Sequence, residues 1–267
     1  FRNKKKINFK EIRSLSSGID YAKKNVVMLP YNDINSSRKI LDNNFKNISV
    51  VVIEPIQCGI PNEDTRQYLL FLNEYCKKKK ILLWFDEVIT GLRVKKFAIY
   101  KQYKLEPNIV TFAKCFGGGM PIGLTLFNSK ILNNMNKKIF FGGTFSGNPI
   151  STKVGFDTFN FIDKNKKKID NHILKLSNKL VSEINDFCKK NNKEFRLQSY
   201  ETIIRPVFTS KNIRNKFFRE KYDSKFTNSL KLKNELIKKN IFISSNCAFF
   251  ISYCHTISDI NYLQKVL

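Results

Sequence analysis

The sequence predicts an α/β fold, with a mostly parallel sheet in a large N-terminal part and a smaller α+β part behind it. Three observations predict it. The β-branched run Ser49–Ile53, the amphipathic stretch Asp64–Lys79 and the apolar run Ile81–Phe85 follow one another. Strand, helix and strand in that order make a right-handed βαβ unit. A third apolar run, Ile109–Ala113, ends in a lysine and a glycine turn. Beyond the lysine and asparagine cluster at 163–168, short strand-like and helix-like stretches alternate to the C-terminus. The boundary is placed at that cluster, giving a large domain over 1–163 and a small one over 164–267.

Residues 1–47 begin irregularly, with a loop at Ser14–Gly18 and then a helix capped by Asp33 or Asn35 and running to about Phe45. Ser49–Ile53 is the kind of run buried on both faces of a parallel sheet. In the helix that follows, Tyr68, Leu69, Leu72 and Cys76 share one face. The next strand, Ile81–Phe85, stops at two acids, Asp86 and Glu87. Leu124–Phe127 reads as a short strand after the glycine turn. Two helices are expected next, Pro149–Phe161 and Lys167–Asn191. The small domain then offers strand Ile203–Phe208, a helix near Phe226–Lys239, strands Ile241–Ile243 and Phe249–Ser252, and helix Ser258–Leu267.

At 267 residues and 42% hydrophobic, the chain is large enough for one substantial core and a smaller domain. No run approaches the roughly 18 apolar residues of a membrane span, and no apolar stretch follows the basic start FRNKKKINFK as a signal peptide requires. The net charge of +26 raises the question of nucleic acid. The lysines are scattered, as at Lys77–Lys80, Lys166–Lys168 and Lys189–Lys190, among abundant Asn, Ile and Phe, and no base-stacking motif accompanies them. A compositional bias explains that charge, so neither nucleic acid nor membrane is an expected partner. The six cysteines form no CxxC pair, and only His172 and His255 are available, so no metal site is expected. Free thiols fit a reducing compartment and a cytoplasmic location. The first residue is Phe1 rather than methionine, which leads us to expect a piece of a longer protein.

Three stretches carry the chemistry: ILLWFDEVITGLR at 81–93, TFAKCFGGGMPIG at 111–123 and FFGGTFSGNP at 140–149. In an open α/β sheet, ligands collect at the carboxyl ends of the strands. Asp86 stands where a buried strand emerges, and such a carboxylate stays ionised with a cationic or hydrogen-bonded partner. Lys114 follows another strand, and a desolvated lysine there has a lowered pKa and attacks carbonyl carbons. Gly117, Gly118 and Gly119 admit a tight turn and a close approach of backbone to ligand. Gly142-Gly143-Thr144, ahead of a helix starting near Asn148-Pro149, offers N–H groups and a hydroxyl to a phosphate. The plainer readings of the same residues are a turn aspartate, a solvated lysine, a core valine at Val88 and a helix-capping threonine.

Together, in this order and spacing, these motifs resemble the class III aminotransferases, which use pyridoxal 5′-phosphate (PLP), and within them the glutamate-1-semialdehyde aminomutases. PYND at 30–33, Glu54-Pro55 and the apolar Ile89 add to the likeness. The resemblance implies the PLP-dependent transferase fold type I. It implies that Lys114 carries the cofactor as a Schiff base, that Asp86 faces the pyridine nitrogen and that Val88 packs on the ring. Thr144, beside Gly143, is implied to bind the phosphate of a second subunit's cofactor in a homodimer. The implied reaction is a 1,2-amino shift on a small amino-aldehyde. An aminotransferase acting on another amine or an amino-sugar precursor would keep the same cofactor residues, and a catalytically silent scaffold is the contrasting reading. The family's upstream phosphate loop and stacking aromatic have no counterpart in this sequence, and Arg93 and Arg205 are left without a substrate role.

Overall fold

The computed structural model describes residues 25–134, 142–223, 226–244 and 248–267. The first helix, α1 (Ile34–Asn44), starts where the Asp33 side chain accepts the Ser36 N–H at 3.0 Å. The strands β1 (Val50–Ile53), β2 (Leu82–Asp86) and β3 (Ile109–Ala113) pair in parallel, and β4 (Gly123–Phe127) returns antiparallel along β3. Between β1 and β2 lies α2 (Thr65–Lys79), and between β2 and β3 the short α3 (Ile99–Tyr103). The register places Ile53 beside Phe85 and Phe85 beside Val110, so three neighbouring strands end at nearly one level. That shared edge positions the site.

Burial alternates along β1, β2 and β3. Phe85 and Leu83 on β2 point into a core closed by Leu69, Leu72 and Cys76 of α2. The expected face of α2 is buried, and Phe71 and Tyr75 extend it. β1 departs from the expectation of burial on both faces: Val51 and Ile53 are buried, but Val52 is 53% exposed. β1 has a single strand neighbour among the described residues, and only its inward face meets the core.

After α4 (Ser129–Asn134) comes α5, one continuous helix over Pro149–Lys190. The expected break at 163–168 is absent. No glycine or proline interrupts that stretch, and Asn165 bonds back to the Phe161 carbonyl within the helix. Lys166, expected to be solvated, is only 14% exposed at its side chain; it pairs with Asp170 at 2.5 Å and donates to the Val94 carbonyl at 3.1 Å. The remaining elements are β5 (Arg196–Tyr200), β6 (Ile203–Val207), α6 (Lys216–Tyr222), α7 (Phe226–Lys238), β7 (Phe249–Phe250) and α8 (Ile257–Val266), with β5, β6 and β7 in one antiparallel sheet. A second cluster, with Leu176, Leu180, Leu197, Ile204 and Leu236, packs α5 against this sheet.

The sequence reading misses β5, α6 and the short helices α3 and α4. Residues Ile241–Ile243 form no strand. The predicted loop at Ser14–Gly18 and Cys247 lie outside the described residues, as do the first two residues of the motif at 140–149. No described helix is long and apolar enough to cross a membrane, and no group of three metal-ligating side chains occurs among the described residues.

Candidate active site

The ends of the three parallel strands bring together Glu54, Asp86 and Lys114. Asp86 closes β2, level with Thr111 of β3, and is half-buried. Its Oδ1 accepts the Val88 N–H at 3.0 Å, which fixes the carboxylate at the strand tip without a lysine or arginine in ion-pair contact among the described residues. Val88 is half-buried and contributes that backbone N–H. Lys114 opens a 3-10 turn, Lys114–Gly117, directly after β3. Its φ of 52° lies in the left-handed region, where a residue with a Cβ is strained, and such strain gathers at functional positions.

The Lys114 side chain is exposed, whereas the sequence predicts a desolvated amine. The turn takes it off the strand and leaves it at the open mouth of the crevice. Cys115 shares that turn rather than a strand, and burial raises its thiol pKa. Glu54 ties the group together. Burial raises its pKa; the Cys58 N–H, donating at 3.2 Å, lowers it; the negative charge of Asp86 raises it and the positive charge of Lys114 lowers it. One carboxylate thus feels both the anion and the amine.

The neighbouring acid, Glu87, does different work. Successive residues leaving a strand point to opposite faces, and Glu87 is fully buried. Its Oε1 accepts the Tyr100 N–H at 3.0 Å, and Thr90 Oγ1 donates to its Oε2. It serves α3 as a distant N-cap, since the residue before that helix is Ala98, whose side chain cannot accept. Burial pushes its pKa up to about 7, against the lowering by Thr90 and the N–H groups of Tyr100 and Ile99.

The turn that carries Lys114 is clamped from outside by α5. A Cβ added to Gly155 would lie 2.9 Å from both the Phe116 carbonyl oxygen and Ile122 Cδ1, so only glycine lets the helix approach so closely. Gly118, at φ +55°, sits against Thr158 and Val154 of the same helix. Phe116 packs on Phe112 at 4.8 Å and stacks on Phe159 at 6.2 Å between ring centres. Gly143 and Thr144 lie on the exposed turn before α5, where Asn148 caps the helix by accepting the Ser151 N–H. Neither reaches Asp86 or Lys114 by a hydrogen bond within this chain. Asn148, not Thr144, is the capping residue, so the plainer reading of Thr144 fails.

Sequence reasoning overlooks the far side of the Glu54 loop. Cys58 is buried there, and its thiol pKa is raised by burial and by Glu54 and lowered by Arg205, Lys114 and Arg93. Arg93 is held by the Ile89 carbonyl at 2.7 Å and lies over Phe250 at 4.9 Å, and Arg205 is buried on β6. Nothing in the local sequence brings Arg205 to residue 58; the antiparallel sheet that carries it does.

A mostly parallel sheet thus carries a fixed carboxylate, a lysine on a strained turn and a second, half-buried carboxylate at three neighbouring strand ends, and the fold is that of the PLP-dependent transferases of fold type I. The profile of the family described as aminotransferase class-III matches residues 2–218, and the chain belongs to that family. It is 31% identical over 247 residues to a glutamate-1-semialdehyde 2,1-aminomutase of Methanosphaera stadtmanae, covering 89% of this chain and 56% of that protein. The fold is similar to an omega-transaminase from Sphaerobacter thermophilus (TM-score 0.84, 18% identity, 94% of this chain and 58% of the other). It is also similar to a transaminase solved with PLP bound (TM-score 0.75, 19% identity, 90% and 55%). The chain spans about half the length of the curated relatives it matches.

Proposed function

We propose that this chain takes part in PLP-dependent amino-group transfer, with Lys114 as the residue that carries the cofactor and a glutamate-1-semialdehyde-type 1,2-amino shift as the reaction. The observation that carries this reading is that Glu54, Asp86 and Lys114 stand at the ends of three adjacent paired strands, where the Glu54 carboxylate feels the charge of both. The donor set fits the cofactor. Asp86, held by the Val88 N–H, is placed to hold a positive charge on the pyridine nitrogen, and Val88 lines the ring. Lys114 supplies the amine for the aldehyde, and the exposed Gly143–Thr144 turn offers an N–H and a hydroxyl to phosphate. As the resemblance to the family implies, the phosphate there would be that of a second copy of the chain in a homodimer, and the turn's outward exposure supports this. Exposed Phe145 (85%) and Ile150 (63%) beside it favour such a contact.

When bound, the cofactor supplies an electron-poor ring that takes up the charge left as a proton leaves the substrate carbon. The chain's own groups do the rest. Lys114 Nζ accepts that proton as a general base and returns it at the neighbouring position. Asp86 keeps the charge next to it in place through the cycle, and the aromatic pair Phe112–Phe116 keeps the lysine's turn from yielding. The mutase reading rests on relatives at about 30% identity, of which Methanosphaera stadtmanae supplies one and Methanocaldococcus jannaschii another.

Turnover of glutamate-1-semialdehyde to 5-aminolevulinate by the full-length protein tests this directly. Lys114→Ala is expected to abolish it, and Asp86→Asn to lower it by at least about a hundredfold, in keeping with the weight of electrostatic stabilisation in such sites. Amino transfer to an external keto acid without the internal shift would favour the transferase reading instead.

A further inference from the structure

Tyr31, the tyrosine of the PYND stretch, is buried just ahead of α1 and takes no part in that helix's cap. Its hydroxyl donates to the Pro55 carbonyl at 2.8 Å. Pro55 is buried and directly follows Glu54, and as a proline it has no N–H by which the chain could be tied there. Its carbonyl is the backbone group left to hold, and a buried carbonyl needs a donor. Burial raises the Tyr31 pKa and the negative charge of Glu54 adds to this, so the hydroxyl keeps its proton. Thr65 Oγ1 lies 3.4 Å from the same hydroxyl but donates to the Asn62 carbonyl at 3.0 Å, which leaves the tyrosine's proton to Pro55. At the far end of the loop, Gln198 Nε2 donates to the Pro61 carbonyl at 2.8 Å.

What this clamp fixes is a charge. The register that sets Ile53 beside Phe85 brings Glu54, one residue on, level with Asp86. The half-buried Glu54 carboxylate accepts the Cys58 N–H at 3.2 Å and feels both Asp86 and Lys114. A carboxylate near an amine favours its protonated form, so where the loop holds Glu54 sets how much negative charge the amine meets. We propose that Tyr31 is a positioning residue: by gripping the Pro55 carbonyl, it keeps the Glu54 carboxylate facing the Lys114 amine. The consequence for the reaction rests on the cofactor reading above; the position of the loop does not. The plainer role, a tyrosine that only satisfies a buried carbonyl, would leave the charge at Lys114 untouched.

The test uses the full-length protein and compares Tyr31→Phe with Tyr68→Phe and Glu54→Gln. Tyr68 is the matched control: its ring centre lies 5.7 Å from that of Tyr31, and its hydroxyl pairs with Ser37 at 2.9 Å rather than with the Glu54 loop. Phenylalanine keeps each ring and its packing, and thermal melting verifies folding. Without PLP, hydrogen exchange is followed by mass spectrometry on the peptide that contains the Cys58 amide. Exchange there should quicken about tenfold or more in Tyr31→Phe, as for loss of one buried hydrogen bond, and stay at the wild-type rate in Tyr68→Phe. With PLP bound, the pH midpoint of its visible absorbance band is read. The midpoint should fall by about half a unit or more in Glu54→Gln, where the amine loses a facing anion. It should fall in the same direction in Tyr31→Phe and hold in Tyr68→Phe. Wild-type exchange in Tyr31→Phe, or an equal rise in Tyr68→Phe, overturns the assignment. So does a midpoint that Tyr31→Phe leaves in place, whether or not Glu54→Gln moves it. If PLP is never taken up, the cofactor reading fails and the exchange rates still decide whether Tyr31 holds the loop.

Discussion

Glu87→Gln isolates the contribution of the buried acid behind the site. Glu87 is fully buried, and its pKa in the folded chain is pushed up to about 7 from the ordinary 4.5, chiefly by loss of water. A carboxyl group with a raised folded pKa binds its proton more tightly in the folded state than in the unfolded one. Its linkage contribution is therefore fully present below the unfolded pKa and is lost as pH climbs through the folded one. The shift corresponds to roughly 3 kcal/mol in all, most of it falling between pH 5 and pH 8. Glutamine keeps the shape and an oxygen for the Tyr100 N–H but has no proton to lose. Urea unfolding of both proteins across pH 5 to 8 measures the difference. Wild type should lose roughly 2 to 3 kcal/mol relative to Glu87→Gln over that window. Parallel stability curves would refute the reasoning, because they would mean that Glu87 titrates alike in the folded and unfolded chains.

Three further outcomes are expected. Gly155→Ala should destabilise the protein by about 1–3 kcal/mol through overpacking against Phe116 and Ile122, read by denaturant unfolding. Lys166→Met should cost about 1–3 kcal/mol, because it strips the half-buried Asp170 of its partner and the Val94 carbonyl of its donor; an exposed lysine of the same helix, such as Lys164, should be neutral when changed. Thr144→Ala should weaken PLP affinity about tenfold or more in an absorbance titration, with the melting temperature unchanged, since the residue is exposed.

The β1–α2–β2 unit was legible because it is local: a β-branched run, a helical stripe and an apolar strand each announce their partner face. The strand-end acid and the lysine before three glycines were legible for the same reason, as was membership of the family. Other features depend on distance. Lys166 reads as one more solvated charge until Val94 and Phe97 are found beneath it. Glu87 reads as the twin of Asp86 until α3 folds back onto it. The break expected at 163–168 relied on polar composition, yet a polar face without glycine or proline continues a helix whose other face packs. β5 and α6 have weak local patterns: β5 is fixed by the antiparallel sheet and by Leu197 in the second core cluster, and α6 by Phe218 and Tyr222 against Ile60, Val207 and Ile213.

The central claim is that Lys114 is the cofactor's attachment point. Incubating the full-length protein with PLP, reducing it with borohydride and mapping the pyridoxyl group by peptide mass spectrometry tests it most directly. The label should fall on the peptide containing Lys114, and absorbance near the cofactor's visible band should vanish in Lys114→Ala. A label spread over the many surface lysines, unchanged by that substitution, would contradict it.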